Sequence, residues 1–287
     1  MARESRRRPG PEIADRGSRI LGSARSSGGG AVIAIGSTVV FFTLLALAIT
    51  HAPGWPEVRR TFFDWGQLKD SLPEISRAFL LNVKIFCIAE VFILVFALLI
   101  AILRSLPGPA ALPLRLVGIA YADFFRGVPT ILVIAILGFG APALQLNVPT
   151  STTFWGIVAL VLVYTAYVSE VYRAGIESVH PSQAAAARSL GLTHWQALRT
   201  VVLPQAVRRV IPPLLNDFIG LQKDTALVGF LGSVEAFKQS EIDAAATFNS
   251  TPYVITALIF VMLTIPMARF VDWLVRREQR RASAAAR

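Results

Sequence analysis

The chain predicts an all-α, polytopic membrane protein of about six transmembrane helices. Hydrophobic residues make up 54% of its 287 positions, and the mean hydropathy is +0.57. Its apolar residues are gathered into long runs, and a helix of ~20 such residues crosses a hydrocarbon core about 30 Å thick. Its basic residues are gathered between alternate runs, as a threaded chain requires.

The candidate spans are residues 31–50, 79–103, 116–140, 153–172, 206–232 and 253–274, the first, fourth and sixth being the clearest. Residues 1–30, rich in Gly, Ser and Arg, read as a disordered basic tail. The first run is longer than the ~7 to 15 residues of a signal-peptide core and is read as a retained span. Residues 51–76 form an extracytoplasmic loop, 77–277 a helical core, and 278–287 a second basic tail. Inside the third span, Arg126-Gly127-Val128-Pro129 breaks the helix through Gly and Pro, as a fixed kink or a flexible point.

A net charge of +10 raises the possibility of nucleic-acid binding, but the distribution argues for membrane topology. Most Arg residues fall in the N-terminal tail, at Arg104 and Arg115, between Arg173 and Arg209, and from Arg269 onward. The intervening loops balance their few cations with acids, so both termini are expected in the cytoplasm. Cys87, the only cysteine, excludes an internal disulfide.

Residues 178–204 form a polar, Ala-rich loop between two spans. A short helix is expected from Ser182 to Leu190, after Pro181 and closed by Gly191 in the left-handed conformation. Thr193 and Gln196 have the spacing of a reciprocal cap, followed by a second helix with Trp195, Leu198 and Val202 on one face. Pro204 should turn the chain at Leu203, before a further helix starting at Gln205. By spacing alone, this is equally an ordinary surface helical hairpin.

Ala185-Ala186-Ala187, Gly191, and Val201-x-Leu203-Pro204 resemble the EAA loop of ATP-binding-cassette (ABC) importer permeases. The stretches FFRGVP (124–129), SEVYRAGIESV (169–179) and NDFIGLQKDTALV (216–228) resemble the polar amino-acid uptake branch, and the likeness covers roughly 72–277. It implies a type I importer permease core of five helices, with 31–50 as an added N-terminal helix. It also implies that Ala185, Ala186, Ala187, Gly191, Leu203 and Pro204 dock into a separate ATPase. One position departs from the pattern: Ala185 stands where the family's loop has Glu, so a salt bridge to the ATPase is missing or replaced.

Ionisable residues inside spans are costly and usually face a protein interior or a wet cavity. They are Lys84, Glu90, Glu170, Asp217, Lys223 and Asp224. Glu90, Lys223, Asp224 and Thr225 are the candidates for contact with a zwitterionic amino acid, against the competing reading that they tie helices together. Lys84 and Glu90, six residues apart, point to different sides of a helix, and Glu170 with Arg173 reads as a structural pair.

No phosphate loop occurs, and His51, His180 and His194 lack metal-ligand spacing, so neither a catalytic nor a metal site is expected. The chain is read as a non-enzymatic permease of the bacterial cell membrane that binds no cofactor. The resemblance supplies its partners: a like or identical second permease, two ATPase subunits holding ATP and magnesium, and an extracytoplasmic solute-binding protein. The rival reading is an ion-coupled secondary transporter of small polar solutes, which usually shows internal repeats; none is found here.

Overall fold

The computed structural model describes residues 28–106, 108–145 and 149–285, so most of the expected tail at 1–30 and the last two residues lie outside it. Among the described residues every regular element is helical. The chain divides into two units, residues 1–60 and 61–287.

The first unit holds helix α1 (Gly28–Thr50). Its Val, Ile, Leu and Phe side chains are distributed all round the helix and exposed, the pattern of a lipid-bathed span. The hydroxyls of Thr38 and Thr50 donate to the carbonyls of Ala34 and Ala46 at 2.7 and 2.8 Å, which removes their polarity from the helix surface. Helix α2 (Trp55–Phe62) follows within the stretch expected as an extracytoplasmic loop.

In the second unit, α3 (Trp65–Ser105) is capped by Asp64, whose carboxylate accepts from the Gln67 amide at 2.9 Å. Ile75, Asn82, Ile85, Ala89, Ile93, Ala97 and Ala101 form its buried stripe, each step one or two helical turns. The span expected at 116–140 is instead two helices, α4 (Leu112–Gly127) and α5 (Thr130–Ala143), bent by 103°. Pro129 explains the break: it offers no amide, and it forces Val128 to an extended φ of −98° and ψ of 130°.

Helix α6 (Thr152–Glu177) lies at the centre and packs on α3, α4, α5 and the later helix α9 (Leu203–Asp224). Between α6 and α9 lie α7 (Pro181–Ser189) and the short α8 (His194–Ala197), which runs into a π turn at Leu198–Val202. A 3₁₀ segment (Thr225–Leu231), α10 (Ala236–Thr247) and α11 (Thr251–Ala285) complete the unit.

Four described stretches are long and apolar enough to cross a membrane: Val32–Thr50, Trp55–Ser105, Thr152–Glu177 and Thr251–Arg277. The bent α4–α5 pair makes a fifth if it is one broken span. The stretch expected as a span at 206–232 is not among them. Arg208, Arg209, Asp217, Lys223 and Asp224 make α9 too polar, and the α-helix gives way to 3₁₀ geometry at Thr225.

One buried knot fixes α3 against the chain after α9. Glu235 is fully buried, and its carboxylate accepts from the amides of Phe237 and Lys238 and from Asn82 Nδ2, each at 2.9 Å. Asn82 returns a bond by accepting from the Ala236 amide at 3.0 Å and also donates to Thr225 Oγ1 at 3.1 Å. Burial pushes the Glu235 carboxyl above its usual value, while the Phe237, Asn82 and Lys238 donors pull it back.

Candidate functional site

The loop between α6 and α9 builds itself from local chemistry. His180 caps α7, its ring nitrogen accepting from the Ser182 amide at 3.2 Å. At the other end Gly191 has φ +87°, as expected. The Gly191 amide donates to Arg188 O at 3.0 Å and the Leu192 amide to Ala187 O at 3.3 Å, which is the Schellman closure. A Cβ on Gly191 would meet nothing within 4 Å, so the backbone angle, rather than crowding within this chain, calls for glycine. The capping box is present in both halves: Thr193 N donates to Gln196 Oε1 at 2.9 Å, and Gln196 N to Thr193 Oγ1 at 3.2 Å.

Two expectations for this loop are corrected. No corner forms at Leu203, which is helical at φ −60° and ψ −44°. The π turn preceding Pro204 takes up the misfit: the Leu203 amide reaches back five residues to the Leu198 carbonyl, and Pro204, which has no amide to place, follows in the first turn of α9. Nor does one α-helix carry Trp195, Leu198 and Val202 on a common face, because α8 ends at Ala197 and the π turn spans Leu198–Val202. Trp195 is 66% exposed, and Ala197 is the residue buried in its place.

Ala187 is buried, whereas Ala185, Ala186, Leu203 and Pro204 face outward. Leu190, at 86% exposure, and Trp195 stand out as apolar side chains on a loop whose own fold does not need them. The loop's base is held tightly: a Cβ on Gly175 would collide with Val210, and Arg209 donates to the Ser178 carbonyl. Motion of the loop is thereby tied to α6 and α9.

Above this base lies an ion cluster at the α4–α5 break. Glu170 Oε1 is 2.6 Å from Arg104 Nη1 and 3.5 Å from Arg126 Nη1, and Arg173 forks onto Oε2 at 2.7 and 3.0 Å. The expected Glu170–Arg173 pair is therefore half of a cluster joining α3, α4 and α6. Spacing within one helix revealed that half; the partners on other helices left no sequence signal.

The candidate pathway residues separate. Glu90 on α3 lies near enough to Asp217 on α9 for their charges to interact. Asp224 accepts from the Tyr164 hydroxyl at 3.0 Å, and Tyr164 in turn feels Asp217. Three carboxylates thus share one side of the interior with a tyrosine that sequence reasoning did not single out, and none of the three has an ion-pair partner among the described residues. Lys223 points elsewhere, into a cavity of about 380 Å³ lined by Phe237, Tyr253 and Phe260. Adjacent positions on a helix are about 100° apart, yet the Lys223 charge still reaches the neighbouring Asp224 carboxylate. Thr225 is fully buried and engaged with Asn82 and the Gln222 carbonyl. Lys84 and Glu90 form no pair, as their spacing implied.

Residues 113–280 match the family model described as the binding-protein-dependent transport system inner membrane component. The chain belongs to this family. A protein named as a probable glutamine ABC transporter permease of Bacillus subtilis (strain 168) is 36% identical over 166 residues, 58% of this chain and 76% of the relative. A glutamate/aspartate import permease of Escherichia coli O157:H7 is 29% identical over 222 residues, 75% of this chain and 98% of the relative. Among solved structures, an amino acid ABC transporter with histidines aligns at TM-score 0.68 and 30% identity, covering 75% of this chain and 98% of its own. An inward-facing methionine ABC transporter, at TM-score 0.58 and 19% identity over 71% of this chain and 95% of its own, shares the fold. The family is a membrane transport component that works with a binding protein, and the all-α permease fold agrees with it.

Proposed function

We propose that the chain is the permease of an ATP-driven importer of a polar amino acid, coupled through residues 178–204 to a separate cytoplasmic ATPase. The observation that carries this reading is the loop itself: caps and a left-handed Gly191 make it rigid, while Leu190 and Trp195 stay exposed. Leu190 and Trp195 thus offer apolar surface on an otherwise polar loop, available to a partner. The permease names of the relatives and the family match support the same reading.

In this reading both termini are cytoplasmic in a bacterial cell membrane, and a second permease, identical or paralogous, completes the pathway. Two ATPase subunits hold ATP and magnesium, this chain binds no cofactor, and an extracytoplasmic protein delivers the substrate. Glu90, Asp217 and Asp224 favour the α-ammonium group of an amino acid, because unpaired carboxylates away from water need a cation. Lys223 and Thr225 then act from other positions, the first beside its own cavity and the second within the knot at Asn82.

The test is ATP hydrolysis by the reconstituted complex, with and without substrate-loaded binding protein. The coupled importer predicts stimulation that disappears when the loop is disrupted, with membrane insertion retained. Uptake driven by an ion gradient without any ATPase would overturn it in favour of a secondary transporter.

A further inference from the structure

Across the described face of α3 and α6 runs an apolar groove of about 960 Å³. Its walls are Ile88, Phe92 and Phe96 on α3 and Phe154, Val158 and Leu162 on α6, with Lys84 at one end and Leu103 at the other. Phe92 and Phe96 stack at 5.9 Å and are roughly half exposed, so the groove is open along its side. From Lys84 to Leu103 the helix rises about 28 Å at 1.5 Å per residue. That is close to the ~30 Å of a hydrocarbon core, so a membrane boundary beside Arg104, just past Leu103, puts the Lys84 ammonium within reach of the opposite headgroups.

Two further facts identify what fits there. Lys84 is exposed and pairs with no carboxylate among the described residues, although Lys238, Arg104 and Arg173 all do. Among the described lining residues Lys84 is the only charged one, so the groove offers a single cation at the end of an apolar track. The hydroxyl-bearing start of α6 lies at the Lys84 end, because Thr153 bonds Ser233 and the neighbouring Glu235 bonds Asn82, two residues before Lys84.

We infer that this groove is a binding site for an anionic phospholipid, with the phosphate on Lys84 and an acyl chain along Ile88, Phe92 and Phe96. Lysine gives the site its charge preference, and the phenylalanines hold the chain. The site is separate from the coupling loop and from Glu90, so it does not depend on the transport reading.

The experiment is native mass spectrometry of the full-length permease released from nanodiscs of phosphatidylglycerol mixed with phosphatidylcholine. Preferential retention of phosphatidylglycerol is expected. Lys84→Ala should cut that preference about five-fold, near the worth of one lysine at an anionic membrane surface, and Lys84→Arg should keep it. Val158→Trp, which fills the groove and leaves the charge, should reduce retention of both lipids. Equal retention of the two lipids by the native chain, or a preference unchanged in Lys84→Ala, would overturn the inference. So would a groove closed by a second permease copy, seen as cross-linking through a cysteine placed at Phe154.

Discussion

The loop at 178–204 and the knot around Glu235 solve the same problem, a chain turning between helices, in opposite ways. The loop satisfies its backbone with neighbours two to five residues away, through His180, Gly191, Thr193 and Gln196. The knot draws Asn82 from 153 positions earlier in the chain and buries a carboxylate to hold it. Local closure leaves the loop's outward side chains free for a partner, while long-range closure spends them on rigidity. In the proposed coupling both have a use, the loop as a handle that a partner can grip and the knot as a fixed point against which the helices move.

The sharpest way to break this comparison is at the knot. Glu235→Ala leaves the Asn82 amide and two backbone amides without their acceptor, each lost bond to a buried group being worth about 1–3 kcal/mol. Thermal unfolding in detergent should show about 3 kcal/mol of destabilisation, and Glu235→Gln a smaller loss, since it keeps one acceptor oxygen. An unchanged melting temperature would mean that the knot is not a fixed point.

Next in size is Gly191. A β-branched residue in the left-handed region costs roughly 1–2 kcal/mol, so Gly191→Val should lower substrate-stimulated ATP hydrolysis about ten-fold while the permease still inserts. Gly191→Asn, which tolerates that region, should retain most of the stimulation. If both variants fail equally, the partner must approach the Gly191 Cα itself, and the requirement would be space rather than backbone angle.

The smallest effect is expected at Ala185, where the resemblance to the EAA loop would put a Glu. The site is exposed, and an exposed ion pair is worth about 0–1 kcal/mol. Ala185→Glu should therefore strengthen ATPase binding several-fold at most, as read by titration of the purified subunits, provided the partner retains a basic residue there.

The same contrast explains what the sequence made legible. The Gly191 closure and the Thr193–Gln196 cap were readable because their causes lie within a few residues. The all-α fold and the kink at Gly127-Val128-Pro129 were readable from composition and from proline's missing amide, although the kink's size, 103°, was not. The helical dihedrals of Leu203 are not legible, because a π turn absorbs the proline. Glu235 looked like one acid among several in a loop, and Tyr164 like one aromatic in a span. Their roles depend on Asn82 and Asp224, which lie far away in the chain, and no local pattern records such pairings.

In the proposed function, residues 178–204 are the surface gripped by a separate ATPase. Its most direct test is the affinity of the purified ATPase subunit for the permease in nanodiscs after Leu190→Glu and Trp195→Glu are introduced together. Both side chains are exposed, so folding should survive, while loss of an apolar contact at the centre of an interface typically costs more than 1 kcal/mol. At least a roughly ten-fold loss of affinity is expected, with an unchanged melting temperature. Undiminished affinity with a normally folded permease would contradict it.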